Sequence, residues 1–342
     1  MRNLTRLLLL LVVAALGWGL YWYVGAQATE RGLTAWLDAR RTEGWTAEAA
    51  TLSTNGFPNR FDTTFEALDL SDPQTGVGWS APWFQILSLS YKPTQVIAVW
   101  PEEQELRVPG ETLGIASSRM IGSLALGTTP SLPLERLVIE GAEAALGSSR
   151  GWNAAIDAAQ IALRVRPDQT DAPANDPAYD LAVSLDGFTP ESAEIRRLRS
   201  VVGLPEVIET LSAELTIGFD KAWDLSAIED RRPQPRDIEI TALTARWGDL
   251  ALAGSGRLTV DANGVGTGEL VLEATNWRDI LALAEASGAL PETHAPLVRT
   301  ALETLAQLAG DPDRLDVPLR LSGGFVLIGP VPLGAAPRFV LP

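Results

Sequence analysis

The stretch Tyr179-Asp180-Leu181-Ala182-Val183-Ser184-Leu185-Asp186 alternates large apolar residues with small or acidic ones without a break. Successive side chains of a strand point to opposite faces, so Tyr179, Leu181, Val183 and Leu185 share one face that must be buried. The same period of two runs through Ile161, Leu163 and Val165, set against Ala162, Arg164 and Arg166. It recurs in Ala213, Leu215, Ile217 and Phe219, in Leu250 to Val260, and in Leu270, Leu272 and Ala274. Connectors such as Asp261-Ala262-Asn263-Gly264 are too short for a helical crossover, which makes neighbouring strands antiparallel. The expected fold is mainly β (α+β): an N-terminal transmembrane helix, then extended, curved antiparallel sheets in two halves with a few helices packed on them.

Further from this stretch the alternation weakens. Strands are expected at 60–70, 85–90, 94–100, 112–116, 121–126 and 134–140. Residues 168–178 are rich in Asp and Pro with no apolar period, so the boundary between the halves is placed there. Three helices are expected. Glu191–Val202 follows Thr189-Pro190, Trp277–Glu285 follows Asn276, and Pro291–Ala309 carries Leu297, Val298, Ala301, Leu302 and Leu305 at helical spacing.

At the N-terminus the uncharged run Leu7–Val24 reaches about 27 Å at about 1.5 Å per residue, close to the ~30 Å bilayer core. Arg2 and Arg6 precede it and Glu30 is the first acid after it, an asymmetry that keeps the N-terminus in the cytoplasm. Trp18, Tyr21, Trp22 and Tyr23 gather at the far end, as aromatic rings do at a membrane interface. Ala26-Gln27-Ala28 also has the form of a signal-peptide cleavage site, and either reading sends the body across the membrane. Beyond it Leu33, Trp36, Leu37 and Arg40 continue the helical spacing as a stalk that Gly44 would stop. The organisation is then residues 1–24, cytoplasmic stub and anchor; 25–44, helical stalk; 45–170, first β-rich half; 171–342, second β-rich half with helical insertions.

Lys and Arg total 27 against 43 Asp and Glu, a formal charge of −16, so nucleic acid is not an expected partner. The absence of cysteine removes disulfides, thiolate catalysis and zinc–thiolate sites. His294 is the one histidine, at the expected start of a helix, where a polar residue caps. Gly264-Val265-Gly266-Thr267-Gly268 lacks the lysine of a phosphate loop and the helix of a dinucleotide fold, and reads as a turn between strands. Acidic groups such as Glu102-Glu103 and Asp311-Pro312-Asp313 read as solvated loops. No nucleophile, base and metal set converges, so the expectation is a protein that is not an enzyme and carries no cofactor or metal.

Several strings carry a family likeness: Gly56-Phe57-Pro58-Asn59-Arg60-Phe61, Trp79-Ser80-Ala81-Pro82-Trp83, Trp247-Gly248 running into Gly254-Ser255-Gly256-Arg257-Leu258, and Gly324 with Gly329-Pro330-Val331-Pro332-Leu333-Gly334. In their order and spacing the chain resembles domain-of-unknown-function family 2125, whose members are membrane-anchored bacterial envelope proteins with no assigned activity. More remotely it is similar to AsmA-like envelope proteins, whose elongated sheets are associated with phospholipid transport. The likeness implies no catalytic residues.

Two functions fit these observations. The first is an inner-membrane-anchored, single-pass protein with its body in the periplasm, held by residues 7–24, that binds a phospholipid or other acyl chain in an apolar sheet groove. Trp83, Trp100, Leu181, Val183, Leu215, Ile217, Leu252, Leu258 and Leu270 are the candidates to line that groove. The alternative is a non-enzymatic envelope scaffold with a closed β core that recruits a protein partner. The 11 tryptophans serve either reading, as sheet packing or as groove walls. A charge at Leu252 is expected to unfold the second half.

Overall fold

The structure, a computed structural model, describes residues 2–166, 177–290, 292–309, 311 and 313–341. The chain forms two compact units, residues 1–125 with 146–150 and residues 126–145 with 151–342. The expected boundary at 170/171 falls within the second unit. The proline- and aspartate-rich segment itself, residues 167–176, lies outside the described residues.

The first unit begins with one unbroken helix, α1 (Arg2–Thr42). Anchor and stalk are therefore a single element. Gly44, at φ 91°, ends it, and the Trp45 N–H turns back to the Arg40 carbonyl, the left-handed closure that glycine adopts without strain. The strands are β1 (Thr46–Glu48), β2 (Thr51–Asn55), β3 (Arg60–Ser71), β4 (Gly78–Leu89), β5 (Lys92–Val99), β6 (Glu103–Val108) and β7 (Glu111–Leu126). β3 pairs with β1, β2 and β4; β4 pairs with β5 and β6; β7 pairs with both, all antiparallel. Thr112–Ala116 and Ile121–Leu126, expected as two strands, are one. In register, Leu52, Phe65 and Phe84 share a face, and Leu33 and Leu37 of α1 pack there with Ala47 and Leu68.

The second unit contains β8 (Leu134–Ser148, its last three residues in the first unit), β9 (Asn153–Val165), β10 (Ala178–Glu191), α2 (Ala193–Val202), β11 (Ile208–Phe219), α3 (Ser226–Glu229), β12 (Pro235–Trp247), β13 (Leu250–Val260), β14 (Gly266–Thr275), α4 (Trp277–Ala286), α5 (Ala295–Ala309), β15 (Arg314–Ser322), β16 (Phe325–Ile328) and β17 (Val331–Ala335). From β9 to β17 each strand pairs antiparallel with the next. Directly opposed residues share a face. The rows Leu163–Leu181–Leu215–Ile240 and Ala245–Leu252–Ala274–Leu315 therefore belong to one apolar side. The other side carries Glu239, Arg257, Glu269 and Arg320 in successive register, with Arg257 ion-paired to Glu239 at 2.9 Å.

α2 and α5 start later than expected, at Ala193 and Ala295, while α4 starts at Trp277 as expected but without a side-chain cap. β10 runs on through Thr189 and Pro190, which pair with Ala155 and Ala154 of β9, and Ser192 caps α2 by accepting the Ile195 N–H at 3.1 Å. β11 has ended by then, at Ile208 opposite Phe188, so the missing proline N–H leaves no ladder bond unmade on that side. Asn276 precedes α4 in a left-handed conformation and its side chain bonds the Asp249 carbonyl at 2.6 Å instead of the helix.

Candidate functional site

The apolar side of the second unit is covered unevenly. α4 and α5, inserted between β14 and β15, place Trp277, Leu281, Val298, Leu302 and Ala306 over Ala274, Leu315, Val317 and Ile328. A second packed cluster holds Ile238, Ile240, Leu258, Val260 and Leu321, closed by Ala336 and Phe339 of the C-terminal tail. The tail lies along the glycine-rich turn: the Phe339 N–H bonds the Gly264 carbonyl at 2.9 Å, and a side chain at Gly266 would meet the Phe339 ring. The turn expected over Gly264–Gly268 is confined to residues 261–265, and Gly266 to Gly268 already belong to β14, paired with Val260 to Leu258.

Between these clusters and β9 the apolar side is only half-buried. Val183, Leu185, Leu211, Ala213, Leu243, Ala245 and Leu252 line a concavity of about 220 Å³ there. Its position follows from register, since Leu185, Leu211, Ala245 and Leu252 stand opposite one another on four successive strands. The volume is below the ~300 Å³ at which enclosed small-molecule sites begin.

The sequence-derived candidates fall in several environments. Val183 and Leu252 line the trough, and Leu181 stands beside Val183 on the same side of β10. Leu258, 2% exposed, belongs to the second packed cluster, with Leu215, Ile217 and Leu270 against it. Trp100 meets Phe84 in a tilted ring contact, with centroids 5.3 Å apart, in the first unit. Trp83, opposite Glu66, is on the other side of β4 from Phe84. Sequence reasoning missed Leu185, Leu211, Leu243 and Ala245. Leu185 and Leu211 sit in visible alternation, and only the cover given by the helices distinguishes them from the buried positions.

On the polar side, a hollow of about 430 Å³ includes Arg136, Arg164, Arg166, Asp180 and Thr216. Asp180 binds Arg164 at 3.0 Å and accepts the Thr216 hydroxyl at 3.1 Å, so its charge is largely answered within the protein. His294 lies just before α5, its carbonyl accepting the Val298 N–H. No group of three or more metal-ligating side chains converges among the described residues.

A third built feature joins α1 to the sheet of the first unit. Trp18 Nε1 donates to the Pro58 carbonyl at 2.9 Å, Tyr21 Oη to that of Ser90 at 2.6 Å, and Trp22 Nε1 to that of Arg60 at 2.7 Å. The Phe57 ring meets Trp22 edge-on at 5.4 Å, and Gly25 leaves room for Phe61, which a Cβ would approach to 2.5 Å. The Gly56–Phe61 string thus clasps the helix. The other family-bearing strings also serve turns and packing: Trp79 Nε1 bonds Gln104 at 2.8 Å, Trp247 Nε1 bonds the Pro205 carbonyl at 3.0 Å, and Gly256 lies against Leu270.

These features define an N-terminal apolar helix long enough to cross a membrane, carrying a mainly antiparallel β body. The chain belongs to the family described as uncharacterized protein conserved in bacteria (DUF2125), whose family model matches residues 22–337. No curated protein and no solved structure matches it significantly.

Proposed function

We propose that this is a non-enzymatic bacterial inner-membrane protein, anchored by α1 with its body in the periplasm, that holds a lipid acyl chain on the half-buried apolar side of the second unit. The observation that carries the reading is the uncovered trough from Val183 to Leu252, with helices and tail closing the same side elsewhere. Each methylene buried there contributes about 0.8 kcal/mol, so ten supply about 8 kcal/mol against the cost of ordering the chain. The orientation rests on Arg2 and Arg6 before the apolar run. The likeness to AsmA-like lipid-handling proteins belongs to the same proposal, as an analogy of architecture.

The test is photocrosslinking of the whole chain in its native membrane, with a photoreactive residue placed at Val183 or at Leu243. Val271, exposed on the polar side, is the control. A phospholipid-mass adduct at Val183 and Leu243, absent at Val271, is expected. A protein adduct at both trough positions, with no lipid, would favour the scaffold reading.

A further inference from the structure

The hydrogen bonds between α1 and the first unit fix how deep the body sits. A span beginning at Leu7 needs about 20 residues to cross ~30 Å, which carries it to about Ala26. Trp18 then lies about 12 Å, and Trp22 about 6 Å, inside the edge of the apolar layer on the side of the body. Ending the span at Trp18 instead would leave Leu7–Gly17 to cover about 17 Å, little more than half the thickness. Since Trp18, Tyr21 and Trp22 are bonded to Pro58, Ser90 and Arg60, two hairpin tips share their depth.

We propose that these tips, Gly56–Arg60 between β2 and β3 and Leu89–Lys92 between β4 and β5, insert beside α1 through the interface and into the apolar layer of the membrane it crosses. The first unit is then seated on the bilayer. The inference rests on the anchor reading above and adds a second membrane contact to it.

The chemistry of the tips fits lipid. Phe57 is 61% exposed and Tyr91 56%, and Leu89 is exposed beside them. Unpaired backbone groups are what a bilayer tolerates least. Here the carbonyls of Pro58, Arg60 and Ser90 receive aromatic N–H and O–H donors from α1, the Arg60 N–H bonds the Gly56 carbonyl at 2.9 Å, and the Ser90 N–H bonds that of Asn59 at 2.9 Å. Exposed Lys92 flanks the second tip, where a long cationic side chain reaches lipid phosphate.

The chain has no cysteine, so single labelling sites are simple to make. An environment-sensitive nitrobenzoxadiazole label is attached to Leu10→Cys, Phe57→Cys, Tyr91→Cys and Gln74→Cys forms of the full chain, in nanodiscs of phosphatidylethanolamine and phosphatidylglycerol. Gln74 is exposed at the far end of β3 and serves as the aqueous reference. The expected result is a blue-shifted emission at positions 10, 57 and 91 and a several-fold loss of quenching by aqueous iodide relative to position 74. Shielding at position 10 with either tip label quenched as fully as position 74 overturns the inference and leaves the anchor intact. A quenched label at position 10 overturns the anchor reading and the inference together.

Discussion

Asp220 and Tyr179 hold the ends of strands in the second unit by opposite electrostatic logic. Burial alone would raise the Asp220 pKa, but the Gln234 backbone N–H at 2.8 Å, with Arg231 at 2.9 Å and Arg236 at 3.4 Å, outweighs it and lowers the carboxyl below its ordinary range. A carboxyl lowered on folding contributes stability above its unfolded pKa of about 4 and loses it as pH falls through the folded value. Asp220→Asn should therefore melt below the parent at pH 7, by about 1–3 kcal/mol, with the gap closing at pH 3. Thermal melts of both forms at the two pH values check this, and a gap unchanged at pH 3 would contradict it. For Tyr179, burial raises the phenol, opposed by the Trp223 N–H at 3.0 Å and aided by Asp224. A raised acid contributes fully below its unfolded pKa of about 10 and loses that contribution as pH rises through the folded value. Tyr179→Phe should then cost about 1 kcal/mol at pH 7, yet show a shallower fall in melting temperature above pH 10.

At the scale of single elements, α5 shows what a period can and cannot fix. Leu297, Val298 and Leu302 all fit the helical spacing, yet Leu302 is 7% exposed in the cluster with Trp277 and Leu315, and Leu297 is 59% exposed. Leu302→Ala should cost about 2–5 kcal/mol, and Leu297→Ala about 0.5 kcal/mol or less, in denaturant unfolding. Equal losses would mean that α5 is rotated from this placement. The strands around Leu181, Leu215, Leu252 and Leu272 were legible because one side of each is buried and the other solvated, which prints a period of two on the sequence. β7 was split because Gly114 to Arg119 breaks that alternation within one continuous strand. The trough was legible only in part: Val183 and Leu252 were among the groove candidates and line it, whereas Leu185, Leu211, Leu243 and Ala245 were not. Leu185 in the trough and Leu258 in the core have the same local pattern, and the difference is made by α4, α5 and Phe339, which arrive from later in the chain. Leu252 lines the trough and also packs against the cluster under α4 and α5, so a charge there still meets a partly covered core, and Leu258 is the position where it meets a closed one.

At the scale of the whole molecule, α1 combines an exposed apolar half, long enough to cross a membrane, with a half that packs in the first unit. Leu7 to Leu16 face outward, while Leu37, 4% exposed, and Leu33 pack with Ala47, Phe65 and Leu68, and the Glu30 carboxylate accepts the Thr54 N–H at 2.6 Å. Full burial of a leucine side chain stabilises by about 1.5–3 kcal/mol, which Leu37 contributes in full and the half-buried Leu33 in part, against a domain's typical net stability of about 5–15 kcal/mol. The stalk is consequently part of the first unit's core. A chain of residues 25–342 keeps Leu33, Leu37 and Glu30, and should retain slow amide hydrogen exchange in β3 and β4. A chain of residues 45–342 loses all three, and its β3 and β4 amides should exchange faster by one to several orders of magnitude. The clusters around Leu258 and Leu302 contain no residue of α1, so protection in β13 and β15 should persist in both forms. Unchanged protection of β3 on removing residues 25–44 would reduce α1 to a tether, and the membrane would then be all that it holds.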